Sequence, residues 1–212
     1  ASFANNLCIS FDGIEFYNQS AYISPASAGF AGAFKGMDGQ ICNTFFSHFV
    51  VEFDFHQGLI ILHDPASFRY SGEGSVLDIK RESSGSCSLP ISFTLADGKK
   101  YQGRADMDLG GVEVFMVALN NHNMIDVPEG AKTSNLYGAQ GEFTVYESAI
   151  KELSIGKYKI IEPVVKFCDE ASGSIHPDNL GAVGLPLLQR FNPIFDYGHD
   201  LLYLQPENHS NR

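Results

Sequence analysis

Basic residues are scarce in this chain. Lys and Arg together number 14 against 25 Asp and Glu, the formal net charge is -11 at pH 7, and no basic cluster exceeds two neighbours. A protein that binds a phosphate backbone needs a basic face, because charge pairing and counterion release supply much of the affinity. The sequence therefore predicts no nucleic-acid partner.

Long apolar runs are also missing. The nearest candidate, residues 112–119, carries Glu113 and is far shorter than the roughly 18 apolar residues that a spanning helix needs. We also find no helical pattern longer than about two turns. Glycine and phenylalanine are frequent, and this composition favours strands joined by tight turns. We expect no membrane span and an all-β fold of closed or strongly bent sheets.

Cysteine is infrequent and unpaired in the sequence. Cys8, Cys42, Cys87 and Cys168 form no Cys-X-X-Cys pair, which excludes the common short metal and redox motifs. The four thiols could form up to two disulfides in an oxidising compartment, or they could be small buried hydrophobic residues. The second interpretation is favoured because four cysteines in a chain of this length are not disulfide-dense.

Several enzyme signatures are absent as well. The chain has no Gly-X-Ser-X-Gly, His-Glu-X-X-His, phosphate-binding loop or dinucleotide-binding glycine pattern, and its seven histidines are scattered. We therefore predict no metal ion and no cofactor. The chain opens at Ala1 without Met, which is consistent with a processed product or with the numbering of a fragment. We expect an extracytoplasmic location, either secreted or periplasmic.

A segment of the chain occurs twice. Residues 39–64 (the first copy) align without gaps with residues 181–206 (the second copy) at a constant offset of 142 residues. Gly39 aligns with Gly181, Phe49 with Phe191 and Phe53-Asp54 with Phe195-Asp196, and the interior positions are apolar in both copies. If a gap of two residues is allowed, the similarity extends upstream, where residues 9–23 resemble residues 153–165. One structural unit has been duplicated.

Turn signals divide the chain into hairpins. Asp12-Gly13 and Asp97-Gly98 predict tight hairpin turns, and residues 43–48 predict a short helical turn. Asp54 and Asp196 lie in the closing strand of each copy and not at a glycine turn, so we interpret both as structural. Three parts follow from the duplication: residues 1–65 form a partial first lobe, residues 66–88 an inter-lobe connection, and residues 89–207 a complete second lobe.

The most distinctive stretch of the second lobe is Met107-Asp108-Leu109-Gly110-Gly111. Two predicted strands converge there on a carboxylate followed by two glycines. Glycine at such a turn allows the backbone to approach another chain segment closely. Asp108 is therefore the leading candidate for a functional residue.

This stretch, together with the closing Ala182-Val183-Gly184, resembles the aspartic peptidases of the pepsin and retropepsin type, including bacterial two-lobed members. The resemblance implies a pepsin-like or retropepsin-like acid protease barrel, with one complete lobe and one partial duplicated lobe. It assigns the catalytic role to Asp108 and substrate contacts to Leu109, Gly110 and Gly111. It also implies a flap that carries Tyr137 and Gly138.

The chemistry of that family needs two carboxylates about 3 Å apart that share one proton. Subtracting the repeat offset from Asp108 gives a position before Ala1, so the second Asp would come from an N-terminal fragment or a second copy of the chain. Leu109 stands where the family has Thr or Ser, and Cys42 stands where the second copy has Gly184. The resemblance implies an aspartic endopeptidase with a peptide or protein substrate. The alternative is a catalytically inactive protein of the same fold that binds peptides or protein partners.

Overall fold

The computed structural model describes residues 2–11, 14–23, 38–82, 86–120, 123–138, 141–169 and 175–206. Almost all of the regular structure in these residues is β-strand, as predicted, and no helix among them is long and apolar enough to cross a membrane. The chain forms two compact units. Unit 1 comprises Ala1–Gln40 and Tyr137–Glu142, and unit 2 comprises Ile41–Leu136 and Phe143–Arg212.

Unit 1 is built on one long hairpin. Strands β1 (Ser2–Phe11) and β2 (Ile14–Ile23) pair antiparallel, with Phe11 opposite Ile14. Asn6 and Asn18 adopt positive φ angles of 58°, and the register shifts between Ala4 and Leu7. The hairpin is where the sequence predicted it, while its Asp12-Gly13 turn lies outside the described residues.

Unit 2 contains the remaining elements, and the tip of one of its hairpins belongs to unit 1. Its helices are single turns, and its strands form two sheets. In chain order the elements are α1 (Asn43–Phe46), β3 (Val50–Asp54), β4 (Leu59–His63), β5 (Ser75–Asp78), β6 (Lys80–Arg81), β7 (Cys87–Thr94), β8 (Lys100–Asp108), β9 (Phe115–Leu119), β10 (Lys132–Gly138), β11 (Gly141–Ala149), β12 (Glu152–Ile155), β13 (Tyr158–Ile161), β14 (Val164–Asp169), β15 (Gly181–Gly184), α2 (Leu185–Leu188), β16 (Phe191–Asp196) and β17 (Leu201–Pro206).

The larger sheet runs in the order β10-β11-β14-β9-β15-β8-β7-β12-β13, and β6 adds to β7. The predicted closed barrel is wrong, because the end strands β10 and β13 do not pair with each other among the described residues. The β12–β13 hairpin is instead anchored to the smaller sheet. Its Tyr158 hydroxyl donates a hydrogen bond to the Leu204 carbonyl (3.1 Å), and Lys157 N–H donates one to Ser75 Oγ (2.9 Å).

The smaller sheet contains the hairpins of both copies. Its order is β4-β3-β16-β17-β5, so the hairpins of the two copies lie side by side. The helical turns α1 and α2 correspond residue for residue at the repeat offset, and the strands that follow them agree to within one residue at their ends. The hairpin registers also agree, since Val51 faces Leu62 in one copy and Pro193 faces Leu204 in the other.

A local two-fold axis relates the copies. Strands β3 and β16 pair antiparallel with Glu52 opposite Ile194, and these two residues are counterparts in the repeat. Phe53 and Phe195 are also counterparts, and their rings pack edge to face with centroids 5.6 Å apart. Pro193 has no N–H to donate, and the β3–β16 ladder begins after it, at Ile194.

Unit 2 has one main apolar core, and a smaller cluster of Val50, Ile194 and Tyr203 lies apart from it. The main core extends through both sheets. It joins residues of both sheets, from Val51 and Leu202 in the smaller sheet to Phe93 and Phe167 in the larger one. Of the cysteines, Cys87 and Cys168 are buried, in agreement with the favoured interpretation, whereas Cys8 and Cys42 are exposed. The predicted lobe boundaries follow the duplication in the sequence and remain predictions.

Candidate active site

Strand β8 ends in a tight turn at Asp108. The Asp108 carbonyl accepts a hydrogen bond from Gly111 N–H (3.0 Å), and its carboxylate Oδ1 accepts one from Gly110 N–H (2.9 Å). This side chain-to-backbone bond is the usual way in which Asp stabilises a turn. Asp108 is exposed.

Strand β15 lies between β8 and β9 and completes the surroundings of this turn. It pairs parallel with β8, with Gly184 beside Asp108, and antiparallel with β9, with Val183 beside Phe115. A chain segment that is distant in the sequence is thereby inserted between two neighbouring strands. Because β15 pairs with both β8 and β9, it fixes the positions of the two strands that precede and follow the Asp108 turn.

Two glycines allow the backbones to meet there. A Cβ on Gly184 would lie 2.0 Å from the Glu113 carbonyl oxygen and 2.9 Å from that of Gly111, distances that no side chain tolerates. A Cβ on Gly111 would lie 3.3 Å from Gly184 Cα. The close approach that the sequence predicted for the Gly110-Gly111 turn is therefore confirmed at Gly111, and its partner is Gly184.

The other predicted site residues have different surroundings. Leu109 is partly buried, and its side chain packs against the main core. Tyr137 and Gly138 form the end of β10 and belong to unit 1. Their role as a flap over Asp108 remains a prediction.

Asp106 was missed by the sequence interpretation. It lies two residues before Asp108 on β8, is buried, and accepts hydrogen bonds from His176 N–H (2.6 Å) and Asn179 Nδ2 (2.9 Å). Burial raises the pKa of the Asp106 carboxyl above its usual value, although these two bonds oppose the shift. Asp106 thus fastens the segment that leads into β15. The only signal in the sequence was the Asp-Met-Asp alternation, which places both carboxylates on one face of the strand.

Asp54 and Asp196 have the structural role that was predicted for them. Asp54 Oδ1 accepts the Gln57 N–H (2.9 Å), and Asp196 Oδ1 accepts the His199 N–H (3.2 Å) at the equivalent place in the second hairpin. The His199 ring also contacts Asp196 Oδ2 (2.8 Å). Both carboxylates stabilise hairpin turns.

The first copy lacks the surroundings that β15 has. Residues 39–42 correspond to β15, but the structure assigns them to no strand, and Ile41 is 41% exposed. The backbone at Cys42, with φ -109° and ψ 177°, is nevertheless close to that of Gly184, with φ -93° and ψ 173°. The segment therefore ends in an extended conformation, but it pairs with no strand among the described residues.

No second carboxylate contacts Asp108 within the described part of the chain, and its carboxylate accepts a single hydrogen bond there, from Gly110. The same residues contain no group of three His, Cys, Asp or Glu side chains that could hold a metal ion. Comparison with family models and with curated proteins finds no match for the chain.

Proposed function

We propose that this chain supplies one of the two carboxylates of an aspartic-type endopeptidase. The observation that supports this proposal best is the insertion of β15 between β8 and β9, with Gly184 beside Asp108. It leaves an exposed carboxylate at a turn held by two glycine backbones. A rigid turn of this kind would position a carboxylate for reaction with an extended peptide.

The second carboxylate comes from outside the described residues, from an N-terminal fragment or from a second copy of the chain. In the repeat, Cys42 is the counterpart of Gly184, which lies beside Asp108. An incoming strand that pairs with residues 40–42 as β8 pairs with β15 would place its own Asp beside Cys42. At Gly184 the neighbouring backbone leaves no room for a Cβ. The Cys42 side chain would therefore need a wider spacing between the two backbones than the one at Gly184.

The reaction needs the two carboxylates close together. Two like charges about 3 Å apart cannot both ionise, so the pair shares one proton. The ionised member takes a proton from the attacking water, and the protonated member donates one to the carbonyl oxygen of the scissile bond. Asp108 alone cannot do both.

A second function, peptide binding without catalysis, is favoured by one specific observation. Leu109 lacks the hydroxyl that would brace a carboxylate pair, and its side chain packs against the core. A protein of the same fold that lacks this hydroxyl would still bind an extended peptide in its cleft through backbone hydrogen bonds.

The test is acid peptidase activity of the protein purified from its own source, in the wild type and in Asp108→Asn. We expect activity that falls by about 10³-fold or more in the variant, as is usual for loss of a reacting group. Asp97→Asn is the matched control, because Asp97 Oδ1 accepts the Lys99 N–H (2.9 Å) in an exposed turn of the same kind. Equal activity in wild type and Asp108→Asn would remove Asp108 from the mechanism.

Native mass spectrometry of the same preparation tests the source of the second carboxylate. We expect the 23.2 kDa chain either with a smaller polypeptide or as a symmetric dimer. A lone monomer that binds peptides without cleaving them would establish the binding function instead.

A further inference from the structure

The two hairpins related by the local two-fold axis differ in one respect. In the second copy, β17 has an outer neighbour, β5, whereas in the first copy β4 is the end strand of the sheet among the described residues. Strands β4 and β17 are counterparts in the repeat. The pairing of β17 with β5 therefore shows how a strand can pair with the edge of β4.

The β17–β5 ladder defines which backbone groups take part. Leu202 faces Leu77, and Leu204 faces Ser75. Two residues before Leu202, the Asp200 carbonyl accepts a hydrogen bond from Ile79 N–H (2.8 Å), so Asp200 and Ile79 form a hydrogen-bonded pair. Antiparallel pairs alternate between bonded and non-bonded positions, so Leu202 and Leu204 direct their N–H and C=O groups toward β5.

The counterparts of Leu202 and Leu204 are Ile60 and Leu62, and the hairpin registers are the same. Their N–H and C=O groups therefore face the open edge of β4. The side chains of the counterparts also differ in exposure. Leu202 and Leu204 are 0% exposed, whereas Ile60 is 54% and Leu62 is 36% exposed.

Strand β4 carries none of the devices that keep an edge from pairing. Its sequence, Leu-Ile-Ile-Leu-His, has no Lys, no Pro and no acidic residue, and its pairing with β3 is regular over all five residues. Exposed hydrophobic edges of this kind pair readily with another strand.

We propose that the β4 edge binds an extended segment of another polypeptide, antiparallel, in the register that β5 uses on β17. That segment has the chemistry of β5: a small polar residue opposite Leu62, aliphatic residues opposite Ile60 and Ile61, and an acidic residue opposite Leu59. The β4 edge and its register follow from the repeat, and they are the same whether or not the protein is a peptidase.

A second copy of β4 fits this edge less well. The residue opposite Leu204 in the paired copy is the small Ser75, whereas β4 offers only Leu, Ile and His. Two copies would also bring together chains of formal charge -11.

The experiment measures amide hydrogen exchange by NMR on the full ¹⁵N-labelled chain, with a synthetic peptide of the sequence of residues 73–80 as the probe. We expect the peptide to slow exchange at Ile60 and Leu62 by about tenfold or more, because these N–H groups would become hydrogen-bonded. Ile61 and His63, whose N–H groups face β3, should not change.

Two matched peptides test the register. N-methylation at the Leu77 position removes a donor that points toward the edge, so it should abolish the protection. N-methylation at the Val76 position, which points away, should preserve it. In the protein, Ile60→Lys should weaken peptide binding at least tenfold, and Ile161→Lys, at another exposed aliphatic position (65% exposed), should not.

Three results would overturn the proposal. The first is unchanged exchange at Ile60 and Leu62 at saturating peptide. The second is protection of both amides in the dilute chain without peptide, which would mean that the chain itself covers the edge. The third is protection that grows with protein concentration alone, which would make a second copy the occupant.

Discussion

At the scale of single residues, the buried carboxylate of Asp106 shows how the candidate site is held in place. Its two hydrogen bonds reach His176 and Asn179, just before β15 begins. The Leu180 N–H then bonds to the Arg104 carbonyl (2.7 Å), and Gly181 enters the strand. Asp106 therefore positions β15, which in turn lies beside Asp108.

Asp106 should give the protein a specific pH dependence of stability. Burial raises the pKa of Asp106 in the folded protein. As pH rises above the usual Asp pKa of about 4, Asp106 therefore loses its proton in the unfolded chain before it does so in the folded protein. We expect the free energy of unfolding of the wild type, relative to Asp106→Asn, to fall as pH rises through that window. Urea denaturation between about pH 3 and 6 measures it.

Asp97→Asn is the control with the opposite sign. The backbone hydrogen bond from Lys99 lowers the pKa of Asp97, so the wild type should gain stability relative to that variant as pH rises. A difference between wild type and Asp106→Asn that does not change with pH would contradict the assignment of a raised pKa to Asp106.

At the scale of elements, the same sequence pattern forms a strand in one copy and not in the other. Gly181 and Gly39 are counterparts, yet only Gly181 begins a strand, because β15 has β8 on one side and β9 on the other. A Cβ on Gly181 would lie 2.0 Å from the Met116 carbonyl oxygen, whereas a Cβ on Gly39 would meet nothing within 4 Å.

The two glycines should therefore respond differently to alanine. We expect Gly181→Ala to lower the free energy of unfolding by about 3 kcal/mol, since the backbone of β9 must move. Gly39→Ala should change it by less than about 0.5 kcal/mol. Thermal or urea unfolding of both variants measures the contrast, and equal losses would show that residues 39–42 are as closely packed as β15.

At the scale of the whole of unit 2, the duplicated hairpins do not form separate cores. Val51 and Phe195 face each other in the β3–β16 ladder, and both belong to the apolar core that extends into the larger sheet. The two copies therefore depend on each other for stability. Their junction is the local two-fold axis.

This dependence is measurable across the axis. We expect a double-mutant cycle of Phe53→Ala and Phe195→Ala to give a coupling energy of about 0.5–1.5 kcal/mol, because the two rings pack edge to face. Phe53→Ala combined with Val112→Ala, at an exposed position (76% exposed), should be additive. A coupling near zero for the phenylalanine pair would mean that the copies are energetically independent.

The sequence by itself determined the local elements and the repeat. The hairpins of the two copies, the helical turn within residues 43–48 and the all-β class follow from turn residues, alternation and the constant offset. The structural role of Asp54 and Asp196 followed as well, from their place in a closing strand. These features depend on interactions between residues that are close in the chain.

Only the tertiary structure decided which segments meet. The insertion of β15 between β8 and β9, the close contact of Gly111 with Gly184, and the burial of Asp106 all join residues that lie far apart in the sequence. The open sheet in place of the predicted barrel has the same origin, since the β12–β13 hairpin bonds to the smaller sheet. Periodicity marks which face of a strand is apolar, but the choice of neighbour depends on long-range packing that no local pattern contains.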